Sequence, residues 1–390
     1  MTRLSKGFAV WLLGAAGLAV AAPEAAARGA PTAQNPIVIG WAPPDITGVY
    51  RTATEYFEAS VRAANEAGIP TQLLTRTTAT HTAFADQVAI LEDMILRRVD
   101  VIAVAPTEVE AVRAVLRRAN ERDIPVMVVN LLEPIRDVRA SYIGFDNQQA
   151  AMVTAYAIAD YFGGPGVLGT GRHVAPQDGY IDLAFYRSLY DNLPAEERAA
   201  IRARGAIIEG IAGGFFSTMR LKGFDSVIRQ FPGIEILGHP CAADWNRARA
   251  IACTEDMMRV HATNLDFIWG NSSEHGIGAM LAVEAAGRLA RAEEAPSPGD
   301  RSIAIFSNGV TPESTARIAE GRMLAETTHG FVDWGWHGGA LAVRMACRLE
   351  VPQIYDIRPR IAFRGNASDF FPSPRLPYLN WAQIRQDCRR

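Results

Sequence analysis

The sequence predicts an α/β protein of two similar lobes, each built on a parallel sheet, with a cleft between them. Three observations carry this. Short apolar, β-branched runs alternate with stretches of helical periodicity. The apolar runs lack the in/out alternation of half-exposed strands, which marks parallel strands buried on both faces. The theme of the first half recurs in the second, and 390 residues suit two domains of about 150 each.

In the first half, Ile37-Val38-Ile39-Gly40 reads as a buried strand. Residues 54–67 have helical spacing and stop at Gly68. Gln72-Leu73-Leu74 is the second strand, and Val88, Leu91, Met94 and Ile95 place 84–97 on a helix. Val101-Ile102-Ala103-Val104 is a strand closed by Pro106, followed by a helix over 108–120. Val126-Met127-Val128-Val129 and Tyr142-Ile143-Gly144 are further strands.

In the second half, helices are expected over 149–161, 218–231, 246–261 and 276–290. Strands are expected at Gly166-Val167-Leu168, Ile234-Glu235-Ile236-Leu237, Phe267-Ile268-Trp269 and Ile303-Ala304-Ile305-Phe306. The stretch 172–209, with Tyr180, Phe185, Tyr186 and Tyr190, reads as an insert, favoured as a surface helical hairpin. A cap on the second lobe and a docking surface for a partner are the alternatives.

The N-terminus carries Arg3 and Lys6, then an apolar run from Phe8 to Ala22. That run is shorter than the roughly 20 residues a spanning helix needs. Ala19-Val20-Ala21 fits the small-x-small pattern of signal peptidase. Residues 1–22 therefore read as a secretory signal peptide, with further small-residue cut sites up to about residue 30, and imply a periplasmic protein. A retained membrane anchor is the alternative. Residues 23–35 read as a flexible leader. A net charge of −3 and the lack of a basic stretch argue against a nucleic-acid partner.

An oxidising compartment permits disulfides. The four cysteines allow three pairings, of which Cys241–Cys253 with Cys347–Cys388 is favoured: the first closes a short loop and the second pins the C-terminal tail. Their spacing is wrong for a zinc ribbon. His329 and His337 do not have a ligand spacing on one helix, so no metal is expected. Gly164-Pro165-Gly166-Val167-Leu168-Gly169 matches a dinucleotide glycine pattern, but it does not follow a strand into a helix. Asn271-Ser272-Ser273-Glu274-His275 holds the side chains of a triad as sequence neighbours, which point apart. No catalysis and no cofactor are expected.

The candidate ligand residues recur near strand ends: Tyr50, Arg51, Asn130, Phe215, Phe216, Trp245, Asn271, Ser272, Asn308 and His329. They combine flat aromatics with amides, a hydroxyl and an imidazole. Aromatics stack on the apolar faces of a sugar, and amides both donate to and accept from its hydroxyl rim.

Six stretches, in order, resemble the periplasmic sugar-binding proteins of the ribose-binding type, the substrate-binding components of ABC transporters. They are Val-Asp-Val-Ile-Ala-Val-Ala-Pro-Thr at 99–107, Ala-Asn-Glu-Arg-Asp-Ile-Pro-Val at 119–126, Ile-Gly-Phe-Asp-Asn at 143–147, Met-Arg-Leu-Lys-Gly-Phe at 219–224, Ala-Asp-Trp at 243–245 and Gly-Ile-Gly-Ala at 276–279. The resemblance runs from Ile37 to about Arg364. It implies the type I periplasmic binding protein fold, two Rossmann-like lobes joined by a hinge of three segments near Phe145, His329 and Ile357. Residues 36–145 plus 330–356 would form the N-terminal lobe, 146–329 plus 357–366 the C-terminal lobe, and 367–390 a tail.

The resemblance also implies roles. Asn130 and Asn308 fall where the family has aspartates that grip hydroxyls, Trp245 on a ring-stacking aromatic, and Asn271 or Ser272 on a hydroxyl-binding amide. His329 falls on a hinge-side glutamine. Leu131 and Thr218 fall where arginines are usual, although Arg220 lies close by. These departures imply a nearly neutral, more aromatic pocket for a sugar, a modified sugar or a polyol. The expected partners are ABC permease subunits or, alternatively, a membrane sensor kinase, and the expected state is a monomer.

Overall fold

The computed structural model describes residues 30–169, 171–177, 179–292 and 301–389. The expected signal peptide lies outside them. The first half of the chain forms β1 (Ile37–Ala42), α1 (Gly48–Glu66), β2 (Thr71–Thr75), α2 (Phe84–Leu96), β3 (Val101–Val104), α3 (Val109–Glu121), β4 (Val126–Val129) and β5 (Ala140–Gly144). The second half forms α4 (Asn147–Tyr161), α5 (Leu183–Tyr190), α6 (Ala195–Ala200), β6 (Ala203–Glu209), α7 (Phe215–Ile228), β7 (Ile234–Ile236), β8 (Cys241–Ala242) and α8 (Arg247–His261). It continues through β9 (Phe267–Gly270), α9 (Ser273–Ala285), β10 (Ala304–Gly309), α10 (Pro312–Ala319) and β11 (Ala325–Thr328). The C-terminal part adds α11 (Phe331–Ala346), β12 (Ile354–Asp356), β13 (Ile361–Phe363) and α12 (Trp381–Asp387).

Two sheets result. The first has the order β12-β5-β4-β3-β1-β2 and is parallel throughout. The second has the order β13-β11-β10-β9-β6-β7, with β8 beside β6, and only its edge strand β13 is antiparallel. The chemistry of the central strands explains the layering. Every residue of β3 and β4 is buried, so helices must cover both faces. The chain passes between the sheets three times: from β5 into α4, from β11 into α11, and from β12 into β13. Asp146 closes the first passage by capping α4, accepting the Gln149 N–H at 3.0 Å.

The second sheet corrects one strand of the sequence reading. Gly166-Val167-Leu168 is not a strand: Gly166 makes a single isolated bridge to His173, and Gly166 and Gly169 adopt φ of 157° and 66°. The strand beside β9 is β6, which lies inside the supposed insert. The insert does carry two consecutive helices, α5 and α6, but α5 is not a surface element, because its Tyr186 and Tyr190 are fully buried against Tyr156. Glycines beside Val167 and Leu168 imitate a strand boundary, while polar and charged residues precede the short apolar run of β6. Helices α1 and α7 begin six and three residues before the expected starts of 54 and 218. Their first turns face the cleft and lack core periodicity.

Asp160 anchors the glycine-rich loop by accepting the N–H groups of Val167 and Leu168 at 2.8 and 3.0 Å. Burial pushes its carboxyl up to about 7. A folded-state value above the unfolded one favours the protonated acid. That contribution is fully present below about pH 4 and is lost as pH rises through about 7. Asp160→Asn keeps an acceptor and removes the titration. Between pH 5 and pH 8 the wild type should lose about 1–3 kcal/mol more unfolding free energy than the variant. Equal losses in paired denaturation curves at the two pH values would reject this.

Both favoured disulfides are present, Cys241–Cys253 and Cys347–Cys388. The tail is more than an appendage. Ala367, Phe370 and Phe371 pack into the second lobe. The chain then returns to the first lobe, where the Trp336 indole N–H donates to Pro377 O at 2.8 Å. Leu379, Trp381 and Ile384 join the core around α1 and α11, and Cys388 is bonded to Cys347. The tail is a fourth link between the lobes.

Candidate functional site

A cavity of about 330 Å³ lies between the lobes, at the carboxyl ends of the strands. From the first lobe, Tyr50 enters on the opening turn of α1, Asn130 follows β4, and Trp334 comes from the opening turn of α11. From the second lobe, α7 supplies Phe216 and Arg220, and Trp245 precedes α8. Ser272 is the N-cap of α9, and His329 stands in the second passage between the lobes.

Local backbone aims several of these side chains. Asn130 sits at φ 69°, a left-handed conformation that asparagine tolerates better than most residues. Its Nδ2 donates to the Tyr50 hydroxyl at 3.3 Å, while its Oδ1 is buried with no partner among the described residues. Trp245 sits at φ 61°, strained for a bulky residue. Its indole lies over Gly210, where a Cβ would come within 2.1 Å of the ring. It also stacks parallel to the His275 imidazole, with centroids 5.5 Å apart.

Arg220 is the electrostatic centre of the cavity. It is only 4% exposed. Its Nε donates to Asn147 Oδ1 at 2.9 Å and its Nη1 to Asn271 O at 2.6 Å. The guanidinium lies over the rings of Trp245 and Phe145, 5.1 and 5.8 Å from their centroids. Burial lowers its pKa to about 10, so it remains a cation at neutral pH. Burial, then the Arg220 charge, pushes His275 down to about 3 and His329 well below the usual range. Both imidazoles are neutral, and His329 stacks on Phe145 at 4.1 Å. The cavity wall thus holds a buried cation, while the carboxylates of its lining stand at Asp45, Asp244 and Glu274.

At the rim, His81 Nε2 and Asp45 Oδ2 are 2.8 Å apart, and Arg247 bridges Glu274 and Glu313. The lobes touch across the cleft. Glu108 caps α3 through the Val109 N–H and reaches with its other oxygen to the Phe215 N–H at 3.2 Å. One carboxylate thereby joins the positive ends of two helices from opposite lobes.

Tyr50, Asn130, Phe216, Trp245, Ser272 and His329 are brought together around the cavity. Four other expected residues are not among its lining. Arg51 is exposed and pairs with Glu55. Phe215 stands edge-on to Phe216 and meets Glu108 through its backbone. Asn271 is fully buried behind Arg220. Asn308 is fully buried, its Oδ1 accepting the Trp269 indole N–H at 2.7 Å and the Thr154 hydroxyl at 3.3 Å. The sequence points to Arg220 only as a neighbour of Thr218, and it does not single out Trp334. With α7 started at Phe215, Arg220 falls one turn after Phe216 on the same face. The triad-like run diverges: Ser272 caps α9, Ser273 donates to Glu326, Glu274 pairs with Arg247, and His275 lies beneath Trp245.

Comparison with known proteins bears on this geometry. A family model described as a periplasmic binding protein domain matches residues 39–349. The chain is 22% identical over 202 residues to a xylitol-binding protein of Mycolicibacterium smegmatis, covering 52% of this chain and 47% of that one. The chain therefore spans about half the length of that relative. An ABC transporter periplasmic solute-binding protein of Actinobacillus succinogenes, solved with bound D-allose, superposes with a TM-score of 0.67 at 17% identity, over 85% of this chain and 99% of that one. The fructose-binding periplasmic domain of a hybrid two-component system superposes with a TM-score of 0.64 at 16% identity, over 85% and 92%.

Proposed function

The chain belongs to the periplasmic binding protein family, and on that premise we propose that it captures a small polar, sugar-like ligand in the periplasm by lobe closure and delivers it to the permease subunits of an ABC transporter. One observation carries the reading. The cavity between the lobes is lined by buried polar atoms that have no partner among the described residues: Asn130 Oδ1, His329 Nε2 and Trp334 Nε1. An unpaired buried polar atom costs roughly 1–3 kcal/mol. A hydroxylated ligand supplies the missing partners, and Trp245, Trp334 and Phe331 supply apolar faces for its C–H surface.

Residues 36–145 plus 330–356 would move as one body and 146–329 plus 357–366 as the other. Ligand contacts to both bodies favour the closed form, and Glu108 adds a ligand-independent contact to it. The role is binding without turnover, by a monomer. Calorimetric titration against a panel of sugars, modified sugars including sugar acids, and polyols tests the proposal, and a folded protein that binds no member rejects it.

Trp245 provides the residue-level test. Trp245→Ala should weaken binding by about 1–3 kcal/mol with little change in melting temperature. A cost confined to melting temperature would make Trp245 a packing residue.

The second reading is a sensor that presents its closed form to a membrane histidine kinase. It is favoured by the likeness to the periplasmic domain of a two-component system. Neighbouring permease and ATPase genes would support transport, and a neighbouring kinase gene would support sensing.

A further inference from the structure

We infer that the ligand presents an anionic group to Arg220, which makes its class a polyhydroxylated carboxylate, a sugar acid, in place of a neutral sugar or polyol. The inference rests on the reading of the interlobe cavity as the ligand site.

A buried cation is costly unless it is paired and hydrogen-bonded. The hydrogen-bond partners of Arg220 are a neutral amide and a backbone carbonyl. The two rings beneath it offset part of the cost, but they carry no formal charge. Among the described residues, no carboxylate lies within salt-bridge distance of its guanidinium. The carboxylates that line the cavity are engaged elsewhere: Asp45 with His81, Asp244 with Arg249, and Glu274 with Arg247. The neighbouring groups add no negative charge either. His275 and His329 are neutral, and burial holds the Tyr50 hydroxyl protonated.

The donors that remain are the second observation. The Nη2 amino group of Arg220 has no partner among the described residues, and neither does the buried indole N–H of Trp334. Both groups only donate. A carboxylate offers two oxygens that only accept, and a charge-assisted bond to a guanidinium is among the strongest polar contacts a site can make. Asn130 Oδ1, an unpaired acceptor in the first-lobe wall, suits a hydroxyl on the same ligand. The cavity thus places donors and a positive charge together, with a neutral acceptor for the polyol chain.

Calorimetry on matched pairs tests this: D-gluconate against D-glucitol, D-xylonate against xylitol, and D-galacturonate against D-galactose. In at least one pair the acid should bind ten-fold or more tightly than its neutral partner. Arg220→Lys should keep the preference at reduced affinity, and Arg220→Gln should bring the acid to the level of the neutral partner. Thermal melts establish that each variant is folded, and if the glutamine variant is not, the wild-type pairs and the lysine variant decide. If binding occurs but no acid binds ten-fold or more tightly than its neutral partner, the charge inference is overturned and the cavity reading stands. A folded wild type that binds no member of any pair overturns both.

Discussion

Trp269→Ala should lower the unfolding free energy by about 3–5 kcal/mol, the usual cost of truncating a buried aromatic. Trp269 lies in β9 at zero exposure, and its ring stacks on Phe224 of α7 with centroids 4.0 Å apart. Truncation opens a void between sheet and helix and removes the indole donor from Asn308 Oδ1. Asn308→Ala removes the other end of that bond, leaves the indole N–H unpaired, and should cost about 1–3 kcal/mol. The two residues share one contact, so the double variant should cost less than the sum. Urea denaturation of the four proteins measures all of this. An Asn308→Ala protein of undiminished stability that no longer binds ligand would return Asn308 to the ligand site and remove it from the core.

The second large effect concerns the tail. Removing the Cys347–Cys388 bridge with Cys347→Ser and Cys388→Ser should destabilise the protein by about 4 kcal/mol, whereas removing Cys241–Cys253 should cost about 3 kcal/mol. The difference follows from loop length: the bridges join residues 41 and 12 positions apart, and the longer loop gives the unfolded chain more freedom to lose. Equilibrium unfolding of the two double variants ranks them. The reverse order would mean that native packing around α12, and not loop closure, sets the contribution of the bridge.

The fold was legible where burial is simple. Strands β3 and β4 are apolar because helices cover both faces, and their sequences show it. Strand β11 is equally buried but reads Ala-Glu-Thr-Thr. Its Glu326 is tolerated because Ser273 and Ser307 donate to it, and those partners are far away in sequence. Strand β10 continues three residues past its apolar run, to Gly309. Asn308 therefore belongs to the sheet, although the sequence places it in a loop after a strand. The site shows the same division. Asn130 and Ser272 follow recognisable strands and line the cavity. Arg220 and Trp334 depend on where α7 and α11 start, and the aromatic residues of those first turns serve the cleft and the core together and so leave no clear boundary in the sequence.

The Cys347–Cys388 bond turns residues 347–388 into a covalent ring that leaves the first lobe through the passage from β12 to β13 and comes back through the tail. Two parallel backbone routes occupy what would otherwise be the last single strand of the circuit. A protease that nicks either one releases no fragment while the disulfide is intact, and the two lobes stay a single molecule.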